Sequence, residues 1–481
     1  MFAGMTPLPL LIGGERVATT QTQDVRNPYD GTRLARFCVA EPEEIGRALD
    51  AAEKAFVITR RQPAFERAGI LQRAAGLIRA HCADLAELVM AEAGKPITLA
   101  ESEVARCIQT FEFAAAEVLT QSGSTGVNLA ASAVGRDYEG YVHRFPLGII
   151  LAISPFNFPI NLVAHKLAPA IATGNTVLLK PSPRTPSVAL RLVELLLEAG
   201  MAPGQVNVLQ FDPALVPQVL ADPRVRMLSF TGSAAVGWKL KTQAAKQKVA
   251  LELGGNAAAI VHADADWRKA IPTLAAGAFN YAGQACISLQ RLYVERPIFE
   301  AFKAAFLAHV RTSVKHGNPV ERDVVVGPMI DPGARDRVLA WTDEALKAGA
   351  KLLTDLRVGK DDTVIPAIVL DGLPAGVKMS CEEIFGPVIA LEPYDSFEDA
   401  LAQVNGSAYG LQAGVFTQDL GRIYQAFREL EVGAVMINQG PTFRPENLPY
   451  GGVKDSGHGR EGLRYAMEEM TEPRALVINL G

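Results

Sequence analysis

The chain has 481 residues, 49% of them apolar and 21% charged, with a formal net charge of −5. That length exceeds what one hydrophobic core supports and predicts two or three domains of an ordinary globular protein. No basic block and no apolar run near ~20 residues occurs, which argues against nucleic acid or a membrane as the main partner.

Taken in chain order, residues 10–40 read as short strands with turns at Gly13-Gly14 and Asp30-Gly31. The stretch 1–17 lacks the basic start, apolar core and cleavage site of a signal peptide. Helical spacing follows: Ile45, Leu49, Ala52 and Phe56, then Ile70, Leu77 and Ile78. A further helix is predicted over 97–119, with Val104, Ile108, Phe111 and Val118 on one face and Arg106 off it. Residues 121–145 are Gly- and Ser-rich and then alternate Tyr138, Tyr141, His143 and Phe145, as a protruding hairpin would. Beyond that, strands at 148–154, 176–180, 206–210, 226–230 and 249–253 alternate with helices. This pattern predicts a doubly wound parallel sheet whose ligands bind at the carboxyl ends of the strands. A second α/β set is predicted from strands at 258–261, 292–295, 367–370, 388–394, 413–416 and 434–438, and one more strand from Thr471 onward. The boundary between the two sets falls near 253–256.

Five scattered cysteines, Cys38, Cys82, Cys107, Cys286 and Cys381, do not read as a disulfide framework and fit a reducing, cytoplasmic compartment. No CxxC or HExxH occurs and the seven histidines do not cluster, so no metal site is expected. Cys286 stands apart, in FNYAGQACIS (279–288), between a helix-period run and a strand-like run. At such a junction a thiol can face a cleft and act as a nucleophile, or it can be a buried small apolar residue. Glu252 is the single charge in the apolar run VALELGGNAAAIV. Burial there would raise its pKa towards that of a general base, although a carboxylate capping the Gly254-Gly255 turn would look the same. Asn157, in SPFNFPIN (154–161), follows a strand end, where its amide can donate to an oxyanion or simply make a turn. Lys180 ends a strand before Pro181-Ser182-Pro183 and could reach a ribose or phosphate, or snorkel to solvent. FTGS (230–233) opens a helix whose free N–H groups suit a phosphate, or Ser233 is a plain cap. In EEIFGP (382–387) a carboxylate beside Phe385 suits ribose hydroxyls, or the segment is a charged loop. GHGREG (457–462) matches GxGxxG, but without a preceding strand and a following acidic residue it is rejected as a dinucleotide fingerprint.

Together PFNFP, KPS, FTGS, LELGGN, GQACIS, EEIFGP and YGGVKDSGHGRE, in this order along nearly the whole chain, resemble the aldehyde dehydrogenase superfamily. The resemblance implies an α/β fold with a Rossmann-type cofactor domain (1–120 and 143–252), a second α/β catalytic domain (253–445) and a small β oligomerisation element with the C-terminal tail (121–142 and 446–481). It implies NAD or NADP as cofactor and a homodimer or homotetramer. It assigns the nucleophile to Cys286, the base to Glu252 and the oxyanion amide to Asn157. Cofactor contacts fall to Ser154, Phe156, Lys180, Ser182, Pro183, Phe230, Thr231, Gly232, Ser233, Val236, Leu253, Gly254, Glu383 and Phe385. The implied reaction adds the Cys286 thiolate to an aldehyde, transfers hydride to nicotinamide, and hydrolyses the resulting thioester with water activated by Glu252. CoA-acylating relatives generally lack that base, so a CoA-acylating semialdehyde dehydrogenase is the alternative, with a non-redox thiol hydrolase or esterase behind it.

Two features bear on specificity. Strongly NAD-preferring relatives often carry a glutamate where this chain has Pro183, and without that carboxylate a 2′-phosphate is not repelled. The stretch TFRPENLPYGGVKDSG (442–457) resembles the lactaldehyde, non-phosphorylating glyceraldehyde-phosphate and phosphonoacetaldehyde dehydrogenase branch. There, Arg106 and Arg444 would hold an anionic or hydroxylated substrate tail. Two departures count against the phosphate and phosphonate enzymes: Ala285 precedes the nucleophile where an arginine is found, and Phe158 stands where a histidine is found. Phe158, Phe279, Tyr281, Ile287 and Phe443 are expected to complete a partly apolar substrate pocket.

Overall fold

The strand Ile149–Ile153 is apolar at every position and buried along most of its length, as a strand covered on both faces must be. In this computed structural model, which describes residues 7–121, 123–359 and 362–481, the first half of the chain is wound around it. The start of the N-terminal stretch (1–6) and Ser122 in the expected hairpin lie outside the described residues. Thr176–Lys180 and then Val206–Val208 are added in parallel on one side of the central strand. Val225–Thr231 and then Lys248–Glu252 are added in parallel on the other side. Antiparallel strands finish both edges: Leu10–Ile12 with Glu15–Val17, and Gly457–His458 against Leu251 and Glu252. Strand order therefore reverses at the central strand, and the reversal opens a crevice at the carboxyl ends of Ile149–Ile153 and Val225–Thr231. The loops starting at Ser154 and Gly232 leave from that crevice.

A second sheet runs in the order Lys351–Leu352, Ile368–Asp371, Val388–Tyr394, Leu289–Glu295, Ala257–Val261, Gln412–Phe416 and Ala434–Ile437. All its pairings are parallel except the first. Residues 253–256 carry the chain directly from one sheet to the other, so the carboxyl end of Lys248–Glu252 faces the start of Ala257–Val261. Thr125–Val127, Tyr138–Pro146 and Thr471–Asn479 make a separate three-stranded antiparallel sheet with exposed apolar residues such as Leu476 and Val477.

Helices pack against both large sheets. The helix Ile97–Gln121 buries Val104, Ile108, Phe111 and Val118 along one stripe and leaves Arg106 at its side. Some elements went unread in the sequence, among them the helices Cys82–Ala93, Pro332–Lys347, Phe397–Asn405, Leu420–Glu429 and Leu463–Glu469 and the short strand Val324–Val326. Among the described residues no helix is long and apolar enough to cross a membrane, and no group of three or more His, Cys, Asp or Glu could hold a metal ion.

Candidate active site

The carboxyl ends of the first sheet's strands supply Ser154 to Asn157, Lys180 to Pro183, Thr231 to Val236 and Glu252. Opposite them, the amino-terminal side of the second sheet supplies Cys286 before Leu289–Glu295, Glu383 and Phe385 before Val388–Tyr394, and Tyr409 before Gln412–Phe416. Cys286 and Leu162 line both this cleft, of about 580 Å³, and a second cavity of about 260 Å³ that continues from it.

Cys286 is held there by an unusual turn. After the helix Trp267–Phe279, the residues Tyr281, Ala282 and Gly283 take left-handed conformations, with φ of 54°, 53° and 65°. Two of the three carry side chains, a strain of about 1–2 kcal/mol each that persists only where the surroundings enforce it. Gln284 does the enforcing. It is buried, its amide donates to Tyr281 O and Pro328 O, and its carbonyl oxygen accepts from the Ile330 N–H. Approach from the other side requires Gly255, where an added Cβ would lie 2.2 Å from the Cys286 carbonyl.

The three expected chemical groups meet here. Asn157 Nδ2 donates to Gln284 O at 3.0 Å, which orients the amide beside the turn that carries Cys286. Buried side-chain oxygens on the cleft, Ser154 Oγ, Asn157 Oδ1 and Glu252 Oε2, have no protein partner. Native structures seldom leave such atoms unsatisfied except where a ligand or water completes them. Burial pushes the Glu252 carboxyl well above its usual range; Glu461 adds to this, while Arg444, Lys166 and Arg460 oppose it. Burial also pushes the Cys286 thiol up to about 11, against the hydrogen bond to Tyr450 and the charge of Arg444. Burial thus favours the neutral thiol over the thiolate at Cys286.

The cleft fits a dinucleotide. Lys180 is buried at its strand end and burial lowers its pKa to about 8, with Asp212 in opposition. Ser233 caps the helix Ala234–Gln243 without spending its hydroxyl on the backbone. Glu383 accepts the Gly255 N–H through one oxygen at 3.0 Å, which leaves the other for a ligand, and burial raises its pKa to about 7. Phe385, at φ 48°, packs edge-on against Phe156. Ser182, Pro183, Phe230, Thr231, Gly232, Val236, Leu253 and Gly254 line the same walls. GHGREG lies elsewhere in role: Gly457–His458 is an edge strand, and the Arg460 guanidinium donates to Gly452 O and Gly459 O.

The smaller cavity brings together Arg106, Phe158, Tyr281, Ile287 and Arg444 with Cys286. Two expected pocket residues are not in it. Phe279 is fully buried in the core against Phe306, on the helix face that also buries Ile271 and Ala275. Phe443 is 49% exposed, and its neighbours Thr442 and Arg444 line the cavity in its place. Other residues of the cavity escaped the sequence reading. Lys95 is buried in an ion pair with Glu103 and lies over the rings of Phe158 and Tyr281. Arg106 Nε donates to Glu446 Oε1 at 2.5 Å, and His165 holds the other Glu446 oxygen. Arg444 Nη2 donates to Glu461 Oε2 at 3.0 Å, and Lys166 reaches Glu461 Oε1 at 3.4 Å. Tyr450 closes the wall with its hydroxyl 3.0 Å from Cys286 Sγ.

The model of the aldehyde dehydrogenase family matches residues 16–476. The chain belongs to this family. It is 39% identical over 472 residues to the 3-sulfolactaldehyde dehydrogenase of Priestia aryabhattai, covering 98% of each chain. It is 37% identical over 477 residues to the succinate-semialdehyde dehydrogenase [NADP(+)] GabD of Escherichia coli K12, covering 98% of this chain and 97% of that one. Among solved structures, aldehyde dehydrogenase 21 of Physcomitrella patens, in complex with the reaction product succinate, superposes with a TM-score of 0.95 at 38% identity over 99% of both chains. The chain is an NAD(P)-dependent aldehyde dehydrogenase with the fold of that family.

Proposed function

We propose that the enzyme oxidises a small aldehyde bearing an acidic tail, carboxylate or sulfonate, to its carboxylic acid. The observation that carries this reading is the pair Arg106 and Arg444 in the cavity that ends at Cys286. Each guanidinium is already balanced by a carboxylate, Glu446 and Glu461, yet each has nitrogens left over for an anion. Relatives named for sulfolactaldehyde and succinate semialdehyde support the same class.

In this reading Cys286 Sγ bonds to the aldehyde carbon, and the carbonyl electrons move to an oxygen held by the Asn157 amide and the Cys286 N–H. When bound along Lys180, Ser233 and Glu383, the nicotinamide nucleotide supplies the hydride acceptor. The oxidised carbon remains on Cys286 as a thioester. Glu252, once deprotonated, takes a proton from water, whose oxygen displaces the sulfur and releases the acid. The same carboxylate favours hydrolysis over transfer to CoA. Pro183 in place of a carboxylate favours use of NADP as well as NAD. The proposed division is 1–120 with 143–252 for the cofactor, 253–445 for catalysis, and 121–142 with 446–481 for association. Residues 446–461 in addition serve the cavity. The exposed apolar strand Thr471–Asn479 supports a homodimer or homotetramer, and the five unpaired cysteines support a cytoplasmic setting.

The test is absorbance at 340 nm with both nucleotides and chain-matched aldehydes ending in carboxylate, sulfonate, hydroxyl or methyl. The proposal expects the acidic members to have the highest kcat/KM; a methyl-ended aldehyde preferred over its acidic counterpart would overturn it.

A further inference from the structure

Tyr450 is placed with more constraint than a packing aromatic needs. Its ring is buried, and its backbone is tied on both sides, its N–H donating to Glu461 O at 3.0 Å and its carbonyl accepting the Glu461 N–H at 2.7 Å. The Arg444 guanidinium lies 3.5 Å over the ring and is itself anchored by Glu461. The backbone bridge fixes the Cα from which the ring hangs, and the ring cannot swing without breaking the cation contact. Its hydroxyl is thereby fixed 3.0 Å from Cys286 Sγ, and it makes no other hydrogen bond among the described residues.

Of the two groups, the phenol is the donor that matters. A thiolate only accepts, and a phenol O–H is a strong donor to it. Burial and the adjacent Cys286 hold the phenol well above its usual pKa, so it keeps its proton when the thiol gives its own up. Burial, Glu383 and Glu252 oppose ionisation of the thiol, while the hydrogen bond from the neutral Tyr450 hydroxyl and the charge of Arg444 favour it.

We propose that Tyr450 is a catalytic residue whose O–H stabilises the Cys286 thiolate before attack and releases the sulfur as the S–C bond forms. The thiol first loses its proton to solvent water; the sulfur lone pair then makes the new bond, the carbonyl π electrons pass to oxygen, and Tyr450 remains protonated throughout. Arg444 is then also a positioning residue, since it fixes the ring. The inference rests on Cys286 as the nucleophile.

The test is the pH profile of Cys286 alkylation by iodoacetamide, read by mass on the Cys286 peptide of the full-length enzyme without nucleotide. In Tyr450→Phe, which keeps the ring and its Arg444 contact, the midpoint should rise by about 1–2 pH units. Single-turnover reduction of NADP at neutral pH should fall about 10- to 100-fold, with KM for NADP unchanged. Replacement of Tyr450 by 3-fluorotyrosine, a more acidic donor of the same shape, should move the midpoint the opposite way. A midpoint unmoved by either replacement overturns the role of Tyr450 and leaves Cys286 as nucleophile. Turnover that survives complete alkylation of Cys286 overturns both.

Discussion

Replacing Arg106 by glutamine separates recognition of the substrate tail from chemistry at the sulfur. Arg106 spends Nε on Glu446 and keeps its two terminal nitrogens free among the described residues, in a cavity partly walled by Phe158. A charge-assisted hydrogen bond contributes ~1.5–3 kcal/mol, and the substitution leaves Arg444 in place. The net loss of transition-state binding is therefore about 1.5–3 kcal/mol, or about 10- to 150-fold in kcat/KM. That loss should fall on KM for an acidic aldehyde and be nearly absent for a neutral aldehyde of equal length. The variant also removes one partner of a buried carboxylate. Because His165 and Asn161 still reach Glu446, the fold should lose only about 1–2 kcal/mol, seen as a lower melting temperature. Steady-state kinetics on the matched aldehydes reads the effect. Equal losses for acidic and neutral aldehydes would refute the reasoning, because they would mean that Arg106 shapes the cavity and does not bind the tail.

Two further outcomes follow from the same geometry. Glu92, fully buried, accepts the Ser187 and Val188 N–H groups at the start of the helix Pro186–Glu198, yet burial raises its pKa from 4.5 to about 7. A folded-state value above the unfolded one means that the native protein binds more protons in that window, so Glu92 loses stabilising effect as pH rises from 4.5 towards 7. The stability of the parent relative to Glu92→Gln should thus decline by about 3 kcal/mol across that range in urea melts, and a constant difference would contradict the assignment. For the nucleotide, Pro183→Glu should leave NAD turnover largely intact and cut kcat/KM for NADP at least about tenfold, since a carboxylate there repels a 2′-phosphate. A parent enzyme more than about a thousandfold less efficient with NADP than with NAD would remove the premise.

The doubly wound sheet was legible because its strands are short apolar runs between helix-period segments, and periodicity is local. That Cys286, Glu252 and Asn157 share the cleft was legible for a related reason: each interrupts or ends such a run, where a polar group is conspicuous. What sequence could not supply is pairing at a distance. Arg106 and Glu446 are 340 positions apart, and His165 and Glu446 are 281 apart, so the carboxylate that fixes the arginine looked like one more charge in a loop. Phe279 was misplaced because it closes the apolar face of the helix Trp267–Phe279 and packs in the core, while closeness in sequence to Cys286 suggested the cavity. The ionisation of Cys286 was not legible, because its direction is set by burial in the cleft and by Tyr450, which is far from it in sequence.

The central claim is that Cys286 carries the substrate and Glu252 releases it. It is tested most directly by mixing Glu252→Gln with NADP and the preferred acidic aldehyde, then measuring the absorbance burst and the mass of the Cys286 peptide. The account predicts close to one equivalent of NADPH per active site, little further turnover, and an acyl group on Cys286 that Cys286→Ala cannot form. Sustained turnover of Glu252→Gln, or a burst with no adduct on Cys286, would contradict it.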